Sequence, residues 1–475
     1  MRYVSTRGRA PAVSFIEAIL AGLAPDGGLY VPESYEDVSG RRKAFALGHF
    51  TGAALLVLAP LKGGTEGADA AAVNRAYLGE PSVSPYHPHW PSVVTPLVQL
   101  RPGAWALELF HGPSLSFKDV AMQWIAQLYE QELARSDRRL TVVCATSGDT
   151  GGAAVEAFKA TDRVDLFVLL PKGRVSEVQR RFMTASGAAN VFALEVEGDF
   201  DACQALVKGL FADRDFAQSA SLSGVNSINW ARIMAQSVYF QIAAHTLGAR
   251  EPVHFSVPTG NFGDAFSGYV AKRMGAPIGM IGLAVNENDI LARALATGRY
   301  QRGAASHATL SPAMDIQVAS NFERMLYEAL GRDGLHVARL YDQFAQSGGF
   351  DIPESALATM RETFFAIATG DAETLEVMQN YATGPRAYYA CPHTAVGLAG
   401  WRGAQTLPAG QCVTLATAHP AKFPETVAQA TGHTPPLPAR CADLFDRPEA
   451  SHPIAADLTQ VKRFIRERSR AWTPS

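Results

Sequence analysis

Apolar positions along this chain alternate between two rhythms. Short, largely apolar runs at 141–145, 165–170, 190–196, 253–257, Ile278–Val285 and 413–417 have the length of buried strands. Between them lie stretches with apolar residues at helical spacing: 13–23, a helix starting near Asp119 with Val120, Ile125 and Leu128, then 153–158, 175–184 and 264–274. In the helix 200–211, Phe200, Cys203, Val207 and Leu210 share a face that Leu206 widens. Trp230–Leu247 is apolar around much of its circumference and reads as a buried helix. Ser320-Asn321-Phe322-Glu323 reads as a capping box opening a helix with Met325, Leu326 and Leu330. Residues 331–384 are helical in pattern, and 461–470 form a basic helix with a solvated face. Strands separated by helices predict an α/β fold of parallel sheets flanked by helices. No repeat at a period of about 20–50 residues is visible, which argues against a solenoid.

The Pro- and His-containing stretch 81–96 places a boundary after an N-terminal region, 1–95. An α/β region follows over 96–430, carrying the helical elaboration 331–384, and 431–475 form a C-terminal tail. With 475 residues, 47% of them hydrophobic, the chain can bury a large core. A net charge of −3 supplies no basic field, so a nucleic-acid partner is not expected. No uninterrupted apolar run reaches the roughly 18 residues of a membrane span, and no signal peptide is expected. Five scattered cysteines without a CxxC pair read as reduced, cytoplasmic thiols. No metal site is expected; His87 and His89 read as loop residues.

Candidate chemistry concentrates in three turns. In Phe110-His111-Gly112-Pro113-Ser114-Leu115-Ser116-Phe117-Lys118-Asp119, a Gly-Pro turn delivers Lys118 to a helix N-terminus. The helix dipole and burial both disfavour a charged ammonium there, which favours a nucleophilic amine able to form a Schiff base with an aldehyde. Gly260-Asn261-Phe262-Gly263-Asp264 follows a strand and precedes a helix, the arrangement in which backbone amides converge on an anion. There Asp264 is expected to cap the helix or receive a hydrogen bond without touching the anion. Thr146-Ser147-Gly148-Asp149-Thr150-Gly151-Gly152 is a second strand-to-helix turn, rich in hydroxyls and suited to a carboxylate.

These turns carry a family resemblance. His111 to Asp119 resemble the HGPTxxFKD signature of the threonine synthase family, with Ser114 where threonine is usual. Gly22 to Glu33, Thr146 to Gly151, Asn226 to Arg232, Pro258 to Asp264, Ser311 to Ile316, Ser320 to Arg324, Pro392 to Gly397 and Thr417 to Phe423 follow the family's motifs in order. The resemblance implies a fold type II enzyme dependent on pyridoxal 5′-phosphate, with Lys118 as its catalytic lysine. It implies cofactor contacts for Gly260, Asn261, Phe262, Gly263 and Asp264, and a Thr417 hydroxyl facing the pyridine nitrogen. It places the substrate α-carboxylate on Ser147, Asp149 and Thr150. The implied reaction converts O-phospho-L-homoserine and water to L-threonine and phosphate. Candidate receivers of the substrate phosphate are Ser227, Asn229 and Arg232, with Lys172, Arg174, Ser176 and Gln179 as a second set. The related activity to be distinguished is a phospho-lyase releasing 2-oxobutyrate; intact Lys118, Asp264 and Thr417 speak against a non-enzymatic paralogue. His111, His393 and His419 read as structural histidines, and the chain as a monomer or weak homodimer.

Overall fold

The computed structural model describes all residues except 47–48, 64–65, 79–89, 91–92, 249, 403–406 and 474–475, so His87 and His89 lie outside the described residues. The chain divides into two compact units, each assembled from separated stretches. Met1–Ala70, Ser92–His111 and Ser227–Pro435 form the first; Ala71–Pro91, Gly112–Asn226 and Pro436–Ser475 form the second.

The first unit is built on a six-stranded sheet in the order Phe364–Ala368, Ile278–Val285, Val253–Pro258, Gln411–Ala416, Ala104–Glu108, Leu97–Arg101. Its strands are parallel except Leu97–Arg101, which runs antiparallel to Ala104–Glu108. Val253–Pro258 is buried at every position, His254 and Ser256 included, as a central parallel strand covered on both faces requires. The helix Trp230–Leu247 is buried from Trp230 to His245, as its all-round apolar character requires. The second unit holds five parallel strands in the order His452–Ala455, Val191–Glu197, Val164–Pro171, Leu140–Ala145, Leu222–Gly224. Val143, Phe167, Leu169, Leu194 and Val196 pack there against Cys203, Leu206, Val207 and Leu210 of the predicted helical stripe. Val461 and Ile465 of the last helix, Leu458–Arg468, join the same cluster; of its basic residues Arg463 and Arg466 are exposed, while Lys462 is half-buried against Asp213 and Arg468 over the Phe464 ring. Among the described residues no helix is long and apolar enough to cross a membrane.

Two local expectations are corrected. Residues 331–384 are not helical throughout: Gly349–Asp351 pairs with Arg299–Gln301, and Phe364–Ala368 forms an edge of the six-stranded sheet. A five-residue apolar run carries too little periodicity to separate strand from helix. The capping box at Ser320 does not form either. The helix begins at Phe322, and Asn321 occupies the N-cap position without a side-chain cap bond. Glu323 instead accepts from Thr6 Oγ1 at 2.6 Å and from Arg7 Nε and Nη2 at 3.1 and 3.0 Å. Ser320 Oγ donates to Asn261 Oδ1 at 3.2 Å. Charge-assisted partners from distant parts of the chain displace a marginal local cap.

Candidate active site

The second unit carries the lysine. Asp119, fully buried, folds its carboxylate back over the preceding turn and accepts from Ser114 N at 2.9 Å, Ser114 Oγ at 2.6 Å and Ser116 N at 3.2 Å. A Cβ on Gly112 would fall 2.4 Å from Asp119 Cβ, so the turn needs glycine there. Leu115 takes the left-handed backbone conformation, φ 63°. Since Ser114 acts through its hydroxyl, serine serves this position as threonine would. The turn delivers Lys118 as the first residue of the helix Lys118–Arg135. Its side chain is buried, with Nζ 4.5 Å from the Phe117 ring centroid and 3.5 Å from Asp149 Oδ2.

Asp149 heads the helix Asp149–Phe158, after a turn that Thr146 organises by accepting from Gly148 N at 2.9 Å and Gly151 N at 2.8 Å. Gly148 sits at φ 134°, a conformation only glycine adopts readily. The half-buried hydroxyls of Ser147 and Thr150 have no hydrogen-bond partner among the described residues. The Asp149 side chain, by contrast, faces Lys118 and Gln179, so its backbone amide at the helix start is what it offers to an anion. Gln179 and Ser176 are also corrected as phosphate candidates. They form the capping box of Glu177–Thr184, and the Gln179 amide donates to Asp149 Oδ1 at 2.9 Å. Lys172 stands in solvent 3.7 Å from Glu197, and Arg174 is exposed.

The first unit carries the glycine loop. Phe262, at φ 64°, buries its ring edge-on to Phe322 and beside Phe364, and thereby turns the chain into the helix Gly263–Arg273. The first intrahelical amide bond runs from Phe266 to the Phe262 carbonyl at 2.9 Å, and the amides ahead of it open the helix without such a bond, the arrangement that suits an anion. A Cβ on Gly260 would lie 3.0 Å from the Ala313 carbonyl and from Ile316 Cδ1, and one on Gly263 would lie 3.2 Å from Asn321 Nδ2. Asn261 is held from outside: its carbonyl accepts from Asn321 N at 3.0 Å and Nδ2 at 3.1 Å. Asp264 receives the Tyr239 hydroxyl, as expected of it. Burial, with the Asp264 charge adding to it, pushes Tyr239 well above the usual phenol value, so it is a lasting donor.

Arg324, fully buried, ties three family motifs together, a role the sequence did not signal. Its Nε and Nη2 each donate to Tyr30 O at 3.0 Å, Nη2 to Ile228 O at 2.7 Å, and Nη1 to Asn321 Oδ1. Burial pulls it down to about 9, still charged at neutral pH. Asn229, a candidate receiver of the substrate phosphate, is engaged within the protein. Its Oδ1 caps the helix Trp230–Leu247 at Ala231 N, 3.0 Å, and its Nδ2 donates to Ile19 O at 2.8 Å. Arg232, in the first turn of that helix, is 3% exposed and its charge acts on Tyr239. The Ser227 hydroxyl has no hydrogen-bond partner among the described residues. Thr417, buried just past the strand Gln411–Ala416, donates its amide to Thr394 Oγ1 at 3.3 Å, while its hydroxyl has no partner among the described residues. His111 pairs with Glu108 at 2.7 Å, His393 accepts from Ala313 N at 3.2 Å, and His419 Nδ1 accepts from Ala421 N at 3.1 Å.

Each unit carries groups suited to pyridoxal phosphate: the second a buried lysine at a helix start, the first a glycine cradle that tolerates no Cβ without movement of its neighbours and a hydroxyl at a strand end without a partner among the described residues. Comparison with known proteins agrees. Residues 2–69 match the family described as threonine synthase N terminus, 92–418 that of pyridoxal-phosphate dependent enzymes, and 394–465 that of threonine synthase, C-terminal. The chain is 44% identical to threonine synthase of Pseudomonas aeruginosa over 100% of both chains, and 38% identical to that of Saccharomyces cerevisiae over 90% of this chain and 88% of that one. The crystal structure of PLP-bound threonine synthase from Brucella melitensis superposes with a TM-score of 0.93 at 47% identity, over 99% of this chain and 100% of that one.

Proposed function

Because the chain belongs to the threonine synthase family, we propose that it converts O-phospho-L-homoserine and water to L-threonine and inorganic phosphate, with Lys118 as its cofactor lysine. Pyridoxal phosphate, when bound, supplies an aldehyde and an electron sink for charge developing on the substrate carbons. The chain's own groups then do the binding and the proton work.

Gly260 to Gly263 and the amides opening Gly263–Arg273 hold the cofactor phosphate, while Asn261, Phe262 and Asp264 shape that cradle. The Thr417 hydroxyl is a neutral partner for the ring nitrogen. Ser147, Thr150 and the backbone at Asp149 take the substrate carboxylate. Ser227 and Arg232 take the substrate phosphate, Arg232 through the bidentate geometry a guanidinium offers. Lys118 would hold its amine near the substrate and move the proton at Cα. We place the enzyme in the cytoplasm, as a monomer or weak homodimer with no nucleic-acid partner; its five scattered cysteines, none in a CxxC pair, fit a reducing compartment.

The observation that carries this reading is Lys118, buried at the head of its helix within the family's signature. The test is incubation of purified protein with O-phospho-L-homoserine. Equal amounts of threonine and phosphate are expected, with little 2-oxobutyrate. Dominant 2-oxobutyrate would convert the reading to the phospho-lyase.

A further inference from the structure

The capping box at Ser176 contains one hydrogen bond more than a cap needs. Capping requires that Ser176 Oγ accept from Gln179 N, at 3.2 Å, and that Gln179 Oε1 accept from Ser176 N, at 3.3 Å. A glutamate at this position would complete the same cap. The residue present is an amide, and its remaining group, Nε2, donates to Asp149 Oδ1 at 2.9 Å, while Asp149 Oδ2 stands 3.5 Å from Lys118 Nζ. Gln179, Asp149 and Lys118 are all buried. The Gly148 backbone lies flat on the Gln179 amide: a Cβ there would meet Gln179 Cδ at 2.5 Å. The other carboxylates on the elements packed around Asp149 turn elsewhere: Asp119 to Ser114 and Ser116, Glu156 to Lys159, Glu177 to Arg180 and Arg181.

We propose that Gln179 is a positioning residue for the reaction: its amide anchors one oxygen of Asp149, so that the other faces the Lys118 amine and sets its heading. Only an amide can do this and still close the cap. A glutamate would set two carboxylates against each other, and an apolar residue would release Asp149. The proposal rests on the reading of Lys118 as the cofactor lysine.

The test uses Gln179→Glu, Gln179→Leu and, as the cap control, Ser176→Ala. Protein stripped of pyridoxal phosphate is labelled with acetic anhydride across pH, and labelling of Lys118 is read by peptide mass spectrometry. The cofactor-loaded proteins are assayed for kcat and KM. Removing the anchor frees Asp149 from the amine, so Gln179→Leu should move the labelling midpoint down; an added carboxylate should move it up in Gln179→Glu, each by at least about half a pH unit. Loss of one charge-assisted contact should lower kcat in Gln179→Leu about tenfold, with KM changing less. A purely structural role would not move the two midpoints in opposite directions. Unmoved midpoints in variants of unchanged circular dichroism overturn the proposal, as does a Ser176→Ala midpoint that moves like that of Gln179→Leu. Borohydride reduction of the loaded wild-type protein separates the two failures. An adduct mapped away from Lys118 removes the reading of the lysine and the proposal with it; an adduct on Lys118 with unmoved midpoints removes only the proposal.

Discussion

Replacing Arg324 should loosen the cofactor loop without touching the cofactor. The guanidinium is fully buried and donates to Tyr30 O, Ile228 O and Asn321 Oδ1, with its charge 5.5 Å from the Trp230 ring centroid. Asn321 in turn donates to the carbonyls of Asn261 and Ser227, so the guanidinium stands one residue behind the glycine loop. Arg324→Met fills much of the volume but leaves two buried carbonyls and a side-chain amide without their donor. Each orphaned acceptor costs about 1–3 kcal/mol. The desolvation that burial already imposes on the charge offsets part of that sum, so a net loss of about 3–5 kcal/mol is expected. Arg324→Lys keeps the charge, but an ammonium cannot span all three acceptors, and it should recover less than half of the loss. The assays are the urea midpoint of the PLP-free protein and the dissociation constant for pyridoxal phosphate, read by absorbance. Both should worsen together, the affinity by at least about tenfold. A full-strength cofactor affinity in a clearly destabilised Arg324→Met protein would refute the link from this residue to the loop, and an unchanged urea midpoint would refute the energetics.

Lys118→Ala should retain weak pyridoxal phosphate binding through the glycine loop yet lose turnover, and borohydride should fix the cofactor to wild-type protein at Lys118 alone; a mapped adduct on another lysine would end the assignment. Gly260→Ala should weaken cofactor binding about tenfold, because its Cβ would press on backbone at 3.0 Å that has to give way; unchanged affinity would mean that the loop has slack there. Burial holds His245, His254 and His452 below the usual imidazole value. The unfolded chain therefore takes up protons first as pH falls below about 6.5, and thermal stability should decline from there, ahead of the carboxylates. A melting temperature that stays flat between pH 7 and 5 would show that these rings are free to charge in the folded protein.

Much of the architecture was legible because it depends on local pattern. The strand Val253–Pro258, mostly apolar but for His254 and Ser256, is buried at every position because both faces of a central parallel strand are covered, and Trp230–Leu247, apolar around much of its girth, is buried from Trp230 to His245. What escaped were elements without a period of their own. The strand His452–Ala455 contains Pro453 and survives only at a sheet edge, where one donor can be missing. Phe364–Ala368 is a strand because a neighbour pairs with it, not because its five residues exclude a helix.

By itself, the sequence determined the chemistry carried within single turns: a lysine at a helix start, glycines where the backbone must turn sharply, hydroxyls at the head of the next helix. Those features depend on residues a few positions apart, and residue type alone meets the requirement. Only the tertiary structure decided where the long polar side chains found partners. Glu323 left its own helix start for Thr6 and Arg7, Arg324 reached Tyr30 and Ile228, and Gln179 gave its spare amide to Asp149. Asn229, which read as a phosphate ligand, became a helix cap bonded to Ile19. The physical reason is common to all four. A buried charge or amide must be matched by whatever donor or acceptor the fold brings within about 3 Å, and those partners come from chain positions that local spacing cannot anticipate.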